Sequence, residues 1–167
     1  MNPSVQKKVC MLGAFGVGKT SLVRRYVDSI FSDTYLTTVG VKIDKKTVDP
    51  DGRAVTLILW DIAGEDDISA VRMSYVRGAA GALLVADGTR DQTLAVALSI
   101  GDRVRKEIGD IPLLLLINKL DLRAEWTVTD TALAELRGAG WNLFATSART
   151  GEGVEQAFVE LARRVIA

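Results

Sequence analysis

The chain of 167 residues has the length of one ordinary domain, which we expect to span residues 1–167, with 48% hydrophobic and 25% charged residues. Twenty-one lysine and arginine residues balance twenty-one aspartate and glutamate residues, so no overall field attracts nucleic acid or an anionic membrane. The chain has no histidine, which excludes histidine-based catalysis and histidine-ligated metal sites. Its single cysteine, Cys10, excludes an internal disulfide and favours a reducing, cytoplasmic location.

Strand-like and helix-like segments alternate from the N-terminus. The apolar run 9–12 precedes a helix that opens at Gly18 and carries apolar residues at three- and four-residue spacing. The alternating segment 39–44 predicts a half-exposed strand. Together with the turn Asp49-Pro50-Asp51-Gly52 and a return strand over 55–60, it predicts an antiparallel hairpin.

The second half of the chain repeats a strand-then-helix order. Unbroken apolar runs at 82–86 and 113–117 predict strands buried on both faces of a sheet, with a helical period over 94–108 between them. A short strand over 143–145 and an amphipathic helix over 154–166 follow. We therefore predict an α/β fold with a mostly parallel six-stranded sheet, one antiparallel edge strand and helices on both faces. Such sheets bind ligands outside the carboxyl ends of their strands.

The segment Gly13-Ala14-Phe15-Gly16-Val17-Gly18-Lys19-Thr20 has the spacing of a phosphate-binding loop, G-x-x-x-x-G-K-[ST], and it lies between a strand and a helix. The glycines let successive backbone N–H groups surround a polyphosphate, and the start of the helix adds a positive dipole end. Lys19 is expected to reach the β- and γ-phosphates, and the Thr20 hydroxyl to ligate Mg²⁺. The motif resembles that of P-loop NTPases, and we therefore expect their fold. The nucleotide contacts expected here are Phe15, Gly16, Val17, Gly18, Lys19, Thr20 and Ser21.

A second polar segment, Asp61-Ile62-Ala63-Gly64, follows the strand 57–60. An aspartate at the tip of a buried strand beside a phosphate loop is suited to holding the water shell of Mg²⁺. The Gly64 backbone N–H could sense a γ-phosphate, because no side chain blocks its approach.

Two further polar segments, Asn118-Lys119-Leu120-Asp121 and Thr146-Ser147-Ala148-Arg149, follow the last two strands. Guanine presents two adjacent donors and one acceptor at its edge. The Asp121 carboxylate can accept both donors, and the backbone N–H of Ala148 can serve O6. Adenine would reverse these contacts and leave partners unpaired, at a cost of about 1–3 kcal/mol each. The residues therefore favour a guanine nucleotide over the alternative, an adenine-nucleotide kinase or ATPase with the same phosphate loop.

Two side chains are candidates for packing against the base. The stem of Lys119 can cover one face while its ammonium stays near solvent. Phe31 can pack edge-on against the base, and the alternative is a packing aromatic at a helix end. The base contacts expected are Phe31, Asn118, Lys119, Asp121, Ser147, Ala148 and Arg149.

These motifs, in this order, resemble the Ras superfamily of small GTP-binding proteins over about 7–166, and within it the Rab-like group. The segments 35–41, 60–65 and 74–79 resemble the Rab first switch, second switch and the stretch beyond it. The resemblance implies that Thr38 ligates Mg²⁺ only when the γ-phosphate is present, with Gly64 as the matching contact and Tyr35 beside the nucleotide. It implies a switch whose loops, at about 32–42 and 61–78, engage effectors in the GTP state, with exchange-factor and GTPase-activating proteins as partners.

Departures from the family pattern bear on hydrolysis. Phe15 stands where Ras has glycine, and Glu65 replaces the glutamine that positions water. An ionised Glu65 can only accept hydrogen bonds, and it adds negative charge beside a developing anion. Tyr35 occupies the position of the arginine of Gα proteins, so the motifs show no arginine in cis. We therefore predict slow intrinsic hydrolysis involving Lys19, Thr38, Gly64 and Glu65. The alternatives are a Glu65 that acts as a base, and a hydrolysis-deficient, constitutively GTP-bound binding module.

The ends and one apolar cluster complete the expectations. No C-terminal cysteine box is present and Met1-Asn2 cannot be myristoylated, so we expect no direct membrane anchor. Bacteria and archaea hold such unlipidated relatives, which favours a prokaryotic source. Trp60, Met73 and Tyr75 are predicted either to form an exposed effector patch or to pack beneath the second switch.

Overall fold

The computed structural model describes residues 4–27, 35–38, 41–62 and 73–167, with only the backbone described for 35–38. Within these ranges twelve helices and strands of regular structure follow one another, apart from short 3-10 turns. In chain order they are β1 (Val5–Gly13), α1 (Lys19–Val27), β2 (Tyr35–Thr38), β3 (Val41–Val48), β4 (Val55–Ile62), α2 (Met73–Val76), β5 (Gly81–Asp87), α3 (Gln92–Glu107), β6 (Leu113–Asn118), α4 (Asp130–Gly138), β7 (Asn142–Ala145) and α5 (Val154–Val165).

The strands form one sheet in the order β2-β3-β4-β1-β5-β6-β7. In this order, β4, β1, β5, β6 and β7 are parallel to their neighbours in that group, whereas β3 is antiparallel to both β2 and β4. The predicted α/β fold class is therefore confirmed, with all six predicted strands present.

The structure corrects two details of the predicted sheet. The short strand β2 makes seven strands, and the antiparallel strand β3 lies second in the sheet instead of at its edge. The reason is that an unpaired β3 would leave a row of N–H and C=O groups without partners, and β2 pairs with it from Tyr35 opposite Ile43 to Thr38 opposite Val41.

The apolar core lies on both faces of this sheet. Strands β5 and β6 are buried along their whole length, as their unbroken apolar runs predict. Alternate residues of β1 enter opposite layers: Leu12 packs on the side of α3, and Met11 packs on the side of α5 with Phe158. The sheet is thus fixed from both faces, and the carboxyl ends of its parallel strands open onto a single edge.

Two further features of the core concern the thiol of Cys10 and the apolar residues Trp60, Met73 and Tyr75. Cys10 is fully buried, and burial raises the pKa of its thiol to about 12, with Lys8 opposing this weakly. Met73 is buried, while Trp60 and Tyr75 are partly buried against the core on the α3 side. The three residues therefore pack against the core, whereas residues 63–72 of the predicted second switch lie outside the described residues, so packing beneath that switch stays a prediction. In the ranges that the structure describes, no helix is long and apolar enough to cross a membrane.

Candidate functional site

The loop between β1 and α1 curls tightly because the chain must turn beside β6. Gly18 has φ of +105°, and a Cβ atom there would lie 2.3 Å from Nδ2 of Asn118. A side chain at this position would therefore meet both backbone strain and a collision. The glycine of the motif is explained by this contact before any ligand is considered.

Lys19 is the cation at the centre of the loop. Its side chain is buried, and Nζ donates to the carbonyl oxygens of Gly13 and Ala14, each at 3.1 Å. Burial lowers the pKa of Lys19 to about 8, with the charge of Asp61 opposing the shift. A desolvated ammonium whose partners here are neutral carbonyls gains strongly from an anion such as phosphate.

Thr20 and Asp61 meet across the loop, as the sequence predicts. The Thr20 hydroxyl donates to Oδ2 of Asp61 at 2.5 Å, and the aspartate is buried at the end of β4. A hydroxyl and a carboxylate oxygen suit Mg²⁺, which is held by few protein groups and by substrate phosphates. Among the described residues no group of three or more cysteine, aspartate or glutamate side chains forms a denser metal site.

These groups line a cleft of about 420 Å³ together with Phe15 and Gly16. A second cleft of about 400 Å³ is lined by Asp121, Leu122, Ala148 and Arg149. The two clefts share Gly18, Ser21 and Lys119 among their lining residues. They form one groove along the carboxyl edge of the sheet, with the predicted phosphate contacts at one end and the predicted base contacts at the other.

Asn118 ties the loops of the groove together. Its Nδ2 donates to the carbonyl of Val17 at 3.0 Å, and its Oδ1 accepts from the hydroxyl of Thr146 at 3.1 Å. Asn118 and Thr146 are both buried. The amide therefore joins the phosphate-binding motif, the end of β6 and the loop after β7 in one network.

Asp121 and Ser147, two of the predicted base contacts, are hydrogen-bonded to each other. The Ser147 hydroxyl donates to Oδ1 of Asp121 at 2.8 Å and accepts from the backbone N–H of Thr150 at 3.0 Å. Asp121 is exposed on the groove, whereas Ser147 is buried beneath it. One carboxylate oxygen is thus oriented by the protein, which presets the plane of the carboxyl group for a bidentate partner.

Lys119 makes a contact that the sequence reasoning did not predict, while its side chain stays 35% exposed. Its Nζ lies 2.8 Å from Oδ2 of Asp87, a carboxylate whose side chain is only 1% exposed. A buried carboxylate must be paired, and the ammonium of Lys119 supplies one of its partners. Asp87 was missed by the sequence reasoning, although it directly follows the apolar run 82–86 just as Asp61 follows its own strand.

Most of the remaining predicted site residues are described only in part or not at all. Phe31, Gly64 and Glu65 fall outside the described residues, and for Tyr35 and Thr38 only the backbone pairing of β2 is described. Arg149 is exposed at the edge of the second cleft. Their roles remain predictions.

The buried amide network makes a prediction about stability. Thr146→Val keeps the shape of the side chain but removes the hydroxyl that donates to Asn118, leaving a buried carbonyl oxygen without that partner. We expect the free energy of unfolding of the nucleotide-free protein to fall by about 1.5 kcal/mol, measured by urea denaturation. Thr131→Val, on the exposed face of α4, is the control, and equal losses in both variants would contradict the network.

Comparison with known proteins shows one consistent relationship. Residues 8–167 match the model of the Ras family. The chain is 33% identical over 161 residues to Ras-related protein Rab-13 of Canis lupus familiaris, covering 95% of this chain and 79% of that one. It is 34% identical over 169 residues to GTP-binding protein YPTM2 of Zea mays (99% and 83%). It is 37% identical over 161 residues to Ras-related protein Rab-4A of Homo sapiens (95% and 74%).

Proposed function

The chain belongs to the Ras family of small GTPases and resembles its Rab members, and from this membership we propose that it is a guanine-nucleotide switch that binds GTP and GDP with Mg²⁺ and hydrolyses GTP slowly. Being a GTPase that binds GTP and GDP follows from the family. The Mg²⁺ ligands, the roles of individual residues, the slow rate and the partners are the proposal.

The observation that carries the proposal is the bridge made by Asn118. One amide contacts the loop before α1 through Val17 and the loop after β7 through Thr146. A ligand lying along the groove would therefore meet a preformed phosphate end and a preformed base end at a fixed separation. Preorganisation of this kind reduces the cost of ordering the site on binding.

Within this proposal each end of the groove has a distinct task. The N–H groups of 14–18 and the ammonium of Lys19 bind the β- and γ-phosphates, while Asp121 and the N–H of Ala148 recognise guanine. Thr20 and Asp61, joined by Thr38 according to the family resemblance, would hold Mg²⁺, which neutralises charge on the phosphates when bound.

A competition titration tests the nucleotide class. Purified protein is loaded with fluorescent GDP and challenged with unlabelled GDP or ATP at pH 7. We expect displacement by GDP at an affinity that exceeds that of ATP by several orders of magnitude, because adenine leaves the Asp121 carboxylate unpaired. Equal displacement by both nucleotides, or no binding of either, would reject the proposed site.

The slow rate is proposed from Phe15 and Glu65. Phe15 is 70% exposed at the turn of the loop and lines the phosphate end of the groove, where it would crowd an arginine supplied by an activating protein. An ionised Glu65 would place a second negative charge beside the transferring phosphoryl group, at which enzymes normally arrange donors.

The hydrolysis proposal is tested by Glu65→Gln. We expect single-turnover GTP hydrolysis to rise about tenfold in this variant, because an amide can donate to the phosphoryl oxygens and no longer repels them. The rate is followed by phosphate release at pH 7. Phe15→Gly, which leaves the charge in place, is the companion variant. A wild-type rate as fast as that of an activated family member, or a slower Glu65→Gln with the pH profile of a carboxylate base, would contradict the proposal.

A second candidate function is a constitutively GTP-bound binding module without useful hydrolysis. The exposed Phe15 beside the phosphate end is the feature that favours it. Nucleotide released from the purified protein and separated by anion exchange distinguishes the two functions. Mostly GDP supports the switch, and mostly GTP supports the module.

The partners proposed are those of a switch. Effectors would engage the loops at about 32–42 and 61–78 in the GTP state, and exchange-factor and GTPase-activating proteins would set the nucleotide state in the cytoplasm. Pulldown with a non-hydrolysable GTP analogue against a GDP-loaded control would identify effectors that distinguish the two states.

A further inference from the structure

An arginine outside the recognised motifs contacts the turn of the phosphate-binding loop. Arg90 lies between β5 and α3, and its Nη2 donates to the carbonyl oxygen of Phe15 at 2.9 Å. Its Nε donates to Oδ2 of Asp87 at 3.2 Å. One guanidinium therefore spans from a buried carboxylate to the loop, although the motifs of the sequence show no arginine in cis.

The carboxylate that holds Arg90 is itself fully engaged. Oδ1 of Asp87 accepts from the N–H of Thr89 at 2.9 Å and from its hydroxyl at 2.7 Å, while Oδ2 also meets the ammonium of Lys119. Burial raises the pKa of Asp87, but the hydrogen bonds from Lys119, Thr89 and Arg90 outweigh it and hold the pKa below its usual value. Asp87 is thus an ionised anchor with each oxygen doubly occupied.

The backbone of Arg90 is fixed as well. Its N–H donates to the carbonyl of Asp87 at 3.0 Å, and its own carbonyl accepts from the hydroxyl of Thr93 at 2.7 Å and from the N–H of Thr93 at 3.0 Å. Thr93 is buried. The guanidinium is therefore presented to the loop from a rigid turn, and little side-chain entropy is lost in keeping it there.

The contact with Phe15 controls the direction of the next amide. The described peptide bonds are all trans, so the C=O of Phe15 and the N–H of Gly16 point in opposite directions within one plane. Gly16 has φ of +77°, and a Cβ atom there would lie 3.3 Å from Nη2 of Arg90. Glycine permits this peptide orientation and the close approach of the guanidinium.

We propose that Arg90 is a positioning residue which, by holding the Phe15 carbonyl outside the groove, turns the N–H of Gly16 toward the phosphates of the nucleotide. The proposal rests on the proposed function, since it needs a nucleotide in the groove. Gly16 lines the cleft with Thr20 and Asp61, away from the cleft with Asp121. Its N–H therefore serves the phosphates distant from the base.

The test compares guanosine mono- and diphosphate on Arg90→Met. Methionine keeps an unbranched stem and removes the donors, while Asp87 stays paired with Lys119 and Thr89. We expect the affinity for GDP to fall about tenfold, the value of one hydrogen bond to a charged group, and the affinity for GMP to change less than about twofold. A merely structural role would weaken both nucleotides together. Affinities are measured by titration calorimetry at pH 7.

Two further proteins make the outcome decisive. Arg103→Ala, which removes an arginine paired with Glu107 on the surface of α3, should leave both affinities unchanged. Arg90→Lys keeps the positive charge but ends in one nitrogen, so it should show the same selective loss of GDP in a weaker form, and it decides the question if Arg90→Met does not fold. An unchanged ratio of GDP to GMP affinity in a folded Arg90 variant overturns the inference, whereas a wild-type protein that binds neither nucleotide overturns the proposed function instead.

Discussion

Lys19→Met is expected to weaken GDP and GTP binding by about a thousandfold, close to 4 kcal/mol. The ammonium is buried and bonded to the carbonyls of Gly13 and Ala14, so its desolvation cost is already met in the free protein. A phosphate that replaces these carbonyls gains a full charge–charge interaction in a region of low dielectric. Affinities are measured by fluorescence titration at pH 7, below the Lys19 pKa of about 8, where the side chain is charged.

The same substitution should not destabilise the free protein. Methionine removes a charge that burial disfavours, but it also leaves the carbonyls of Gly13 and Ala14 without their donor. The two effects oppose each other, so we expect the urea midpoint of the nucleotide-free variant to change little. Lys106→Met, in the exposed last turn of α3, should leave both affinity and stability unchanged. Binding of GDP within tenfold of wild type by a folded Lys19→Met protein would show that Lys19 is no phosphate ligand.

Asp121→Asn is expected to lower the affinity for GDP by at least about a hundredfold, near 3 kcal/mol. The carboxylate can accept both adjacent donors of guanine, whereas an amide presents one acceptor and one donor to them. The amide oxygen can still accept the hydroxyl of Ser147, which now bonds Oδ1 at 2.8 Å, so the loop should keep its shape. The loss therefore belongs to the base contact.

Selectivity is the sharper measurement for this variant. The weak binding of ATP should be unaffected or slightly stronger, so that the ratio of GDP to ATP affinity collapses. Asp110→Asn, an exposed aspartate before β6, is the matched control and should retain the wild-type ratio. A parallel loss of GDP and ATP binding would assign Asp121 a role in folding the groove and would contradict its role in base recognition.

The sequence predicted well those features that depend on local pattern. The phosphate-binding motif, the aspartate at the end of β4, and the residues Asp121 and Ser147 lie along one edge of the sheet because parallel strands deliver their carboxyl ends to it. The buried strands β5 and β6 can be recognised in the sequence as unbroken apolar runs. These predictions need only the sequence motifs and the order of strands and helices along the chain.

Features that depend on pairing at a distance were not accessible in the same way. The short strand β2 is defined by its partner β3 and not by a periodic pattern of its own, since four residues are too few to show one. The partner of Lys119 was missed because Asp87 belongs to no recognised motif. Arg90 also belongs to no recognised motif. Its contact with Phe15 joins residues 75 positions apart, which a local pattern cannot show.

The burial of Cys10 has a practical consequence for studying the protein. A thiol that is fully enclosed in β1 and has a pKa near 12 presents almost no thiolate to alkylating reagents at neutral pH. A cysteine introduced on an exposed surface, for example at Arg137 on α4, would then be the reactive position of a natively folded molecule. The chain can therefore carry a single spectroscopic label without replacement of Cys10. Slow modification of the Cys10 thiol would report transient openings in which β1 separates from the sheet.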